Sequence, residues 1–388
     1  MSGKRDLKDG FIRADEPFEE NFQRMLSRYR GRGETRAVRP LRLVLISVLS
    51  TLLISAAVLS FAGQTGALDF LFAPRQDLQF TYVTSYKNGA KGFVITGYYG
   101  EEGDVVIPDR IQRVPVSGIG AGAFAHSMKL TSVTLPQGLT TIGDFAFFGC
   151  ENLAGIAFGG GTKLQSIGNS AFADCVSLTS LSIPEGVKNV GDLAFASCSG
   201  LVSITLPESL EGLGEGAFSD CVKLPNVKLP EGIRQVRGGL FAGCLGLGSV
   251  TLPDGVESIG ANTFYECRSL KSITLPEGLT QIPDYAFWRC ESLREVRIPQ
   301  SVVSIGDFAF SWCVGLEKAA LPEGLTRLGR QAFAWCLSLE SLALPGSLAQ
   351  IGEGAFIFCD LLTLRAEEDS AAQQYAQEQG IPFAIVHD

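Results

Sequence analysis

Histidine is almost missing from this chain: His126 and His387 are the only two among 388 residues. General acid–base catalysis and zinc ligation both lean on imidazole, so neither chemistry has its usual side chain in supply. There is no HExxH stretch, no nucleophile–base–carboxylate triad and no insert carrying paired carboxylates. Basic charge is scarce over most of the length. Residues 43–388 hold 21 Lys or Arg against 34 Asp or Glu, a net of −13. Phosphate binding needs a basic face, so nucleic acid is excluded as a partner. The glycine-rich Gly118-Ile119-Gly120-Ala121-Gly122 falls on a repeated turn, and Gly161-Thr162-Lys163 lacks P-loop spacing. We therefore expect no enzyme, no catalytic residue, no cofactor and no metal site.

Apolar side chains are in good supply, at 46% of the chain with a mean hydropathy of +0.20, which excludes a disordered chain. No charge occurs between Leu43 and Leu68. The stretch Leu43–Ala62 would span about 30 Å as a helix, the thickness of a bilayer's hydrocarbon. Arg28, Arg30, Arg32, Arg36, Arg39 and Arg42 precede it, against the single acid Glu34. The positive-inside rule then puts the N-terminus in the cytoplasm and the bulk of the chain outside, as a single-pass cell-membrane protein. A cleaved secretion signal is the alternative, with Ser60-Phe61-Ala62 as a passable site, although leader and apolar core are both long for one. Within the tail, Phe18, Phe22, Met25, Leu26 and Tyr29 share one face of a short helix over Glu16–Tyr29.

The cysteines reveal the architecture. They stand at 150, 175, 198, 221, 244, 267, 290, 313, 336 and 359, one step of 25 and then eight of 23. A fixed period of this size signals a solenoid of leucine-rich repeats. Aligned on cysteine, the unit reads L-x-x-[IV]-x-[LI]-P-x-[GS]-[LVI]-x-x-[IVL]-G-x-x-A-F-x-x-C. Leu270 to Cys290 shows it, with Ile273, Leu275, Pro276, Gly278, Leu279, Ile282, Ala286 and Phe287 in register. The phenylalanine column begins at Phe124 and ends at Phe356, eleven residues in all. Ser127 replaces the first cysteine. Gly159-Gly160-Gly161 replaces one proline and brings the two-residue insertion behind the single long step.

Each position has a physical reason. Residues two apart, as Ile273 and Leu275, face one side of a short strand. Proline ends the ladder and starts a turn. The second apolar pair, as Leu279 and Ile282, returns toward the core. Asp144, Asp192, Asp284 and Asp307 suit the N-cap of a brief helical turn before Ala-Phe. About six apolar side chains per unit, at roughly 1.5–3 kcal/mol each, offset the ordering cost only when neighbouring coils stack. The cysteines share one phase of every coil without a fixed histidine or acid partner, so we read them as small buried thiols. Spacing alone leaves disulfides between adjacent coils open.

From about residue 80 to the C-terminus the template resembles the BspA-type (Treponema-type) leucine-rich repeat. Phe93–Tyr98 with Gly103–Pro108 resembles that family's N-terminal hairpin, with a turn at Lys87-Asn88-Gly89, and 371–383 resembles its closing helix and strand. The resemblance implies a bacterial surface protein, with adhesion among the roles of relatives. The expected organisation is a cytoplasmic tail (1–42), a transmembrane signal anchor (43–62), a linker (63–78), a solenoid of 23-residue repeats with short parallel β-strands and an N-terminal β-hairpin cap (79–365), and a C-terminal cap (366–388). The expected function is recognition of a protein or carbohydrate ligand at the cell surface; the alternative is an envelope protein whose solenoid spaces or self-associates.

Two surfaces stand out for partner binding. The outward strand residues are rich in Ser and Thr, with a charged interruption at Glu295, Arg297 and Lys318. All three tryptophans come late: Trp312 and Trp335 directly precede cysteine, as Phe358 does, and Trp288 lies one place earlier, as Tyr265 does. Plain alternatives accompany both: Ser and Thr tolerate an exposed pleat, and the aromatics can widen the core or pack on the closing segment. An acidic column after proline, Glu185, Glu208, Glu231, Asp254 and Glu277, reads as solvated turns, since one carboxylate per coil is too few for calcium.

Overall fold

The computed structural model describes residues 80–87 and 90–386. The tail, its Glu16–Tyr29 segment, the apolar run 43–62, the linker 63–78 and His387 lie outside the described residues. Among the described residues no helix is long and apolar enough to cross a membrane.

The repeat folds as the sequence periodicity implies, into stacked coils one 23-residue period apart. Each coil contributes a front strand of two to four residues from the L-x-x-[IV]-x-[LI] segment. In runs of two or three coils successive front strands pair in parallel and in register, as Ser180–Ser182 with Ser203–Thr205 and Asn226–Lys228 with Ser249–Thr251. The inward residue of each such pair is a core residue, Leu181 or Val250, while its neighbours face out. A second ladder, not anticipated as strands, forms behind it. The returning apolar pair makes two-residue strands such as Ser304–Ile305, which pairs with Gln281–Ile282 and Arg327–Leu328.

The third side of the coil is a run of turns ending at Phe and Cys. Its backbone N–H groups point to the next coil: Leu193, Phe195 and Ser197 donate to the carbonyls of Glu215, Ala217 and Ser219. That alternation requires left-handed backbone twice per coil, five residues and one residue before cysteine, as at Leu193 (φ 54°) and Ser197 (φ 58°). The glycine that opens the segment is needed for a different reason. A Cβ on Gly214 would lie 2.3 Å from the amide nitrogen of Asp192 in the preceding coil.

The aspartates before Ala-Phe were expected to cap a brief helical turn of their own coil, and they do not. Their carboxylates accept the N–H of the equivalent residue one coil on: Asp144 from Asn169 (2.8 Å), Asp192 from Glu215 (2.8 Å), Asp284 from Asp307 (2.7 Å) and Asp307 from Arg330 (2.8 Å). Asn169 does the same for Asp192 at 2.8 Å. The segment is made of consecutive turns, so the nearest orphan donor belongs to the neighbouring coil.

The core is a single column. Phe147, Phe172, Phe195 and their successors stack with ring centroids between 4.7 Å (Phe124–Phe147) and 6.1 Å (Phe218–Phe241). Beside them all ten cysteines are free and buried. Each thiol donates to the backbone carbonyl of the phenylalanine in the coil before, from Cys150 to Phe124 O (3.1 Å) through Cys359 to Phe333 O (3.0 Å). At the first coil the column meets Tyr98, whose ring stacks on Phe124 at 5.1 Å. Tyr98 ends the strand Ala90–Tyr98, which pairs antiparallel with Phe80–Lys87 and parallel with Val114–Ile119. At the last coil Tyr375 meets Phe356 edge-on at 6.0 Å. Tyr375 belongs to the helix Ala371–Gln379, begun by Ser370 accepting from Gln373 N–H and ended by Gly380 at φ 66°. The strand Phe383–Ile385 then pairs with Thr363–Ala366.

Two outcomes follow from this core. Phe218→Ala removes a fully buried ring from mid-column and should cost about 3–5 kcal/mol in a urea melt; a loss below about 1 kcal/mol would mean the column does not hold the coils. Burial raises the thiol pKa from the ordinary 9.0, to about 11 for Cys150 and about 12 for Cys198, and upward for Cys221, Cys267 and Cys290 as well. A raised folded pKa means that the unfolded chain releases protons first. The thiols' contribution is therefore complete below pH 9 and is lost as pH rises toward 12. The melting temperature should fall steeply above pH 9, and should do so less when Cys198 and Cys221 are replaced by Ala.

Candidate functional site

The left-handed position before each cysteine is where the late coils depart from the early ones. A side chain there leaves the turn segment at its outer edge. Glycine fills it at Gly149 (φ 66°) and Gly243 (φ 72°), and short polar residues at Asp174, Ser197 and Asp220. These residue types tolerate that backbone. Trp312 (φ 63°), Trp335 (φ 62°) and Phe358 (φ 63°) do not belong to that set. A bulky residue held at positive φ costs of order 1–3 kcal/mol unless its surroundings over-determine it, and such outliers gather at functional sites.

The surroundings here are other rings. Trp312 stacks on Trp335 at 4.5 Å and 14°, and Trp335 on Phe358 at 4.1 Å and 29°. All three are half-buried. Arg289 occupies the same position one coil earlier. Its guanidinium lies 5.4 Å from the Trp312 ring centre and 4.9 Å from that of Trp288. Arg289 is itself held by Glu266 at 3.0 Å, and Glu266 also meets Arg268 at 3.1 Å. An ion pair thus leads into a cation–π contact and on into a ladder of three aromatic rings.

Tyr265 and Trp288 also stack, at 4.5 Å and 13°, but at 8% and 5% exposure they are core residues and offer a partner little surface. Their position, two before cysteine, turns inward where the next one turns outward. Glu295 and Lys318 are register partners on neighbouring front strands, and Arg297 beside them reaches Glu277 at 3.6 Å. These three charges lie on the front sheet, on different elements from the tryptophan ladder, so the structure does not merge the two sets into one site. The acidic column is engaged in backbone contacts: Glu185 accepts from Glu208 and Ser209, and Glu277 from Gln300.

Sequence reading missed Arg289, and with it the second stack of Tyr285 on Phe308 (4.9 Å, 11°) under Arg330. Both stacks use the two left-handed positions of the coil. Before cysteine, an aromatic at a position that the early coils fill with Gly, Asp or Ser was the available signal; five residues before cysteine Phe145 and Leu193 already occur, so Tyr285 and Phe308 carried none. Stacking also limits the chemistry. Both faces of Trp335 are covered, by Trp312 and Phe358, so its outward surface is a ring edge. A sugar stacks on an open aromatic face; a ribbon of edges fits an apolar protein surface better. Leu337 (43% exposed) and Leu361 (60% exposed) flank the ribbon in sequence. Among the described residues no three His, Cys, Asp or Glu side chains are grouped to hold a metal ion.

The model of the BspA type leucine rich repeat region matches residues 117–248 and 237–363, in 6 copies. A leucine rich repeat protein of T. pallidum is 36% identical over 52% of this chain and 92% of its own, with a TM-score of 0.48. A leucine-rich repeat protein from Bacteroides ovatus is 25% identical over 82% of this chain and all (100%) of its own, with a TM-score of 0.50. The pneumococcal vaccine antigen PcpA shares the fold at 15% identity, over 81% of this chain and 98% of its own, with a TM-score of 0.53. No curated protein matches the chain.

The strained backbone of the ladder can be measured. At positive φ glycine is favoured over alanine by about 1 kcal/mol. Trp335→Gly should therefore be more stable than Trp335→Ala in urea unfolding, the reverse of their usual order in regular structure. Equal stabilities would mean that the left-handed backbone relaxes when the ring is removed.

Proposed function

Because the chain belongs to the BspA type leucine rich repeat family, we propose that it is a non-enzymatic binding protein of the cell surface that recognises a protein partner along its late coils. The observation that carries this reading is the Trp312–Trp335–Phe358 ladder, three large rings kept half-exposed on backbone that disfavours them. A fold that needed only to stack would do as well with the glycine or aspartate of its early coils. The ribbon, with the half-buried cation Arg289 at its end, has the tryptophan and arginine composition typical of interface centres. Glu295, Arg297 and Lys318 supply a second, charged patch on the front sheet, suited to orienting a partner rather than to anchoring it.

In this proposal residues 43–62 anchor the chain in the cell membrane, residues 1–42 remain in the cytoplasm, and the solenoid stands outside. The antiparallel strands at Phe80–Tyr98 serve as the N-terminal cap, since a solenoid must hide its first coil. The charge step from the arginine-rich tail to the acidic solenoid supports that orientation.

Two measurements test the proposal. Protease applied to intact cells should remove the solenoid and leave a protected tail-plus-anchor fragment; a solenoid degraded only after lysis would sink the surface reading. Trp312→Gly with Trp335→Gly should melt within a few degrees of the parent, yet lose about tenfold or more in capture of biotinylated surface proteins by cells displaying the chain. Undiminished capture by a folded double variant would remove the ladder from recognition.

A further inference from the structure

Each coil opens its turn segment seven residues before cysteine, and glycine fills that position in all but two coils, as Gly191, Gly214, Gly260 and Gly306. A Cβ there strikes the preceding coil, as one on Gly214 would strike Asp192. Arg237 and Pro283 are the two exceptions. Among the described residues the rear ladder breaks at these two coils and nowhere else: Gly212–Leu213 does not pair with Gln235–Val236, nor Ser258–Ile259 with Gln281–Ile282. Pro283 has no N–H to donate. The Cβ of Arg237 holds its coil off the one before. Gly214 donates to Val190 O (2.9 Å) and Gly260 to Val236 O (2.8 Å), and Arg237 makes no such bond to Leu213.

The front ladder is interrupted at four junctions. At three of them the rear strands stay paired, and where Pro283 breaks the rear ladder the front strands Ser249–Thr251 and Ser272–Ile273 stay paired. Among the described residues, both ladders lapse together only between the coil ending at Cys221 and the coil ending at Cys244. Pro225 is the cause on the front side. The residue at its place donates its N–H to the coil before, as Val202 to Thr179 O (2.9 Å) and Gly248 to Pro225 O (2.7 Å), and a proline cannot. Other departures gather at the same junction. Phe218 and Phe241 are the most widely spaced pair of the column, at 6.1 Å. Ile204 and Leu206 are left partly buried. The run of Asp and Asn acceptors stops at Glu215 and resumes at Asp284. What still joins the two coils lies on the turn side. Gly216, Phe218 and Asp220 donate to the carbonyls of Gly238, Leu240 and Ala242, and the Cys244 thiol donates to Phe218 O.

We propose that the solenoid is hinged at this junction, the coils up to Cys221 and the coils from Lys223 onward turning as two blocks about their joined turn sides. With the front and rear ladders already released, a small opening on those two sides breaks no strand pairing. The same opening at any other junction breaks at least one ladder. Gly216 (φ 59°) and Gly239 (φ 61°) place glycine at left-handed backbone on both coils, beside the axis, where a hinge must absorb its change in φ and ψ. The second block carries the Trp312–Trp335–Phe358 ladder, so the hinge sets the direction in which that ladder faces relative to the first block. The inference rests on how the coils stack and does not depend on the function proposed for the ladder.

The test uses the full chain in detergent with nitroxide labels on introduced cysteines; the ten native thiols are buried and shielded from the label. Ser182→Cys with Thr274→Cys spans the junction. Thr251→Cys with Ala343→Cys, separated by the same four 23-residue periods, lies within the second block. All four positions are exposed at the same phase of the front strand. In double electron–electron resonance the first pair should give a distance distribution about twice as wide as the second. Arg237→Gly combined with Pro225→Thr restores residue types found at these positions in other coils, and should narrow the first distribution to the width of the second. Equal widths with Pro225 and Arg237 in place would overturn the proposal, as would a wide distribution that the double restoration leaves unchanged. The comparison of the two pairs is made with the junction's own residues, so it decides the matter even if the restored chain folds poorly.

Discussion

The whole solenoid depends on the stacked phenylalanine column, and the backbone carbonyls buried along it are satisfied by a weak contact, the S–H of the buried cysteine one coil later. Phe147 shows the geometry. Its carbonyl accepts the N–H of Cys150 in its own coil at 3.2 Å and the thiol of Cys175 in the next at 3.3 Å. Both lone pairs are used, so a carbonyl at the centre of an apolar column is not left unsatisfied. A hydroxyl there would donate more strongly but would lose more hydration on burial; a methyl would leave one lone pair without a partner. The thiol is the small, soft donor that suits an apolar interior. Ser127 stands at this phase only in the first coil, where no earlier coil of the column offers a phenylalanine carbonyl.

Strands of two or three residues cannot persist on their own. They persist here because the phenylalanine stack fixes the distance between coils, and every other ladder inherits that spacing. The Asp and Asn side chains reach the next coil's N–H, the turn-segment amides reach the next coil's carbonyls, and the front strands keep one register. The arrangement is quasi-one-dimensional, so a deviation in one coil is felt mainly by its two neighbours.

Much of this was legible in the sequence, because it repeats. The cysteine period gave the coil length, and the apolar columns gave the inward faces of the front strands. The absence of histidine and acid partners gave the thiols their structural role. The rear ladder was less legible, since a two-residue strand such as Ser304–Ile305 is too short to show alternation. The aspartates were placed correctly before Ala-Phe, but their acceptor role runs between coils, and local spacing cannot distinguish a cap from a ladder. The candidate site was legible by half. Composition singled out Trp312 and Trp335; only backbone geometry separates them from Tyr265 and Trp288, one position away and turned inward. Arg289 was invisible because nothing local marks a lysine or arginine that will lie on a ring one coil further on.

The places where the chain breaks its own pattern are informative for the same physical reason. In a globular core, a tryptophan on left-handed backbone or a missing strand pair would disturb packing in every direction. In this solenoid the cost stays in one or two coils, and the ion pair, cation and rings around Arg289 offset it locally. An interruption of the front sheet is contained in the same way: beside the one that follows Gly155–Phe158, the rear strands Thr141–Ile142, Ser166–Ile167 and Asn189–Val190 remain paired. The rear ladder and the phenylalanine column carry the stacking while the front sheet opens. A scaffold with three partly independent sides can therefore lose one side at one coil without losing the coil, so residues that the stacking does not need can vary along an otherwise uniform repeat.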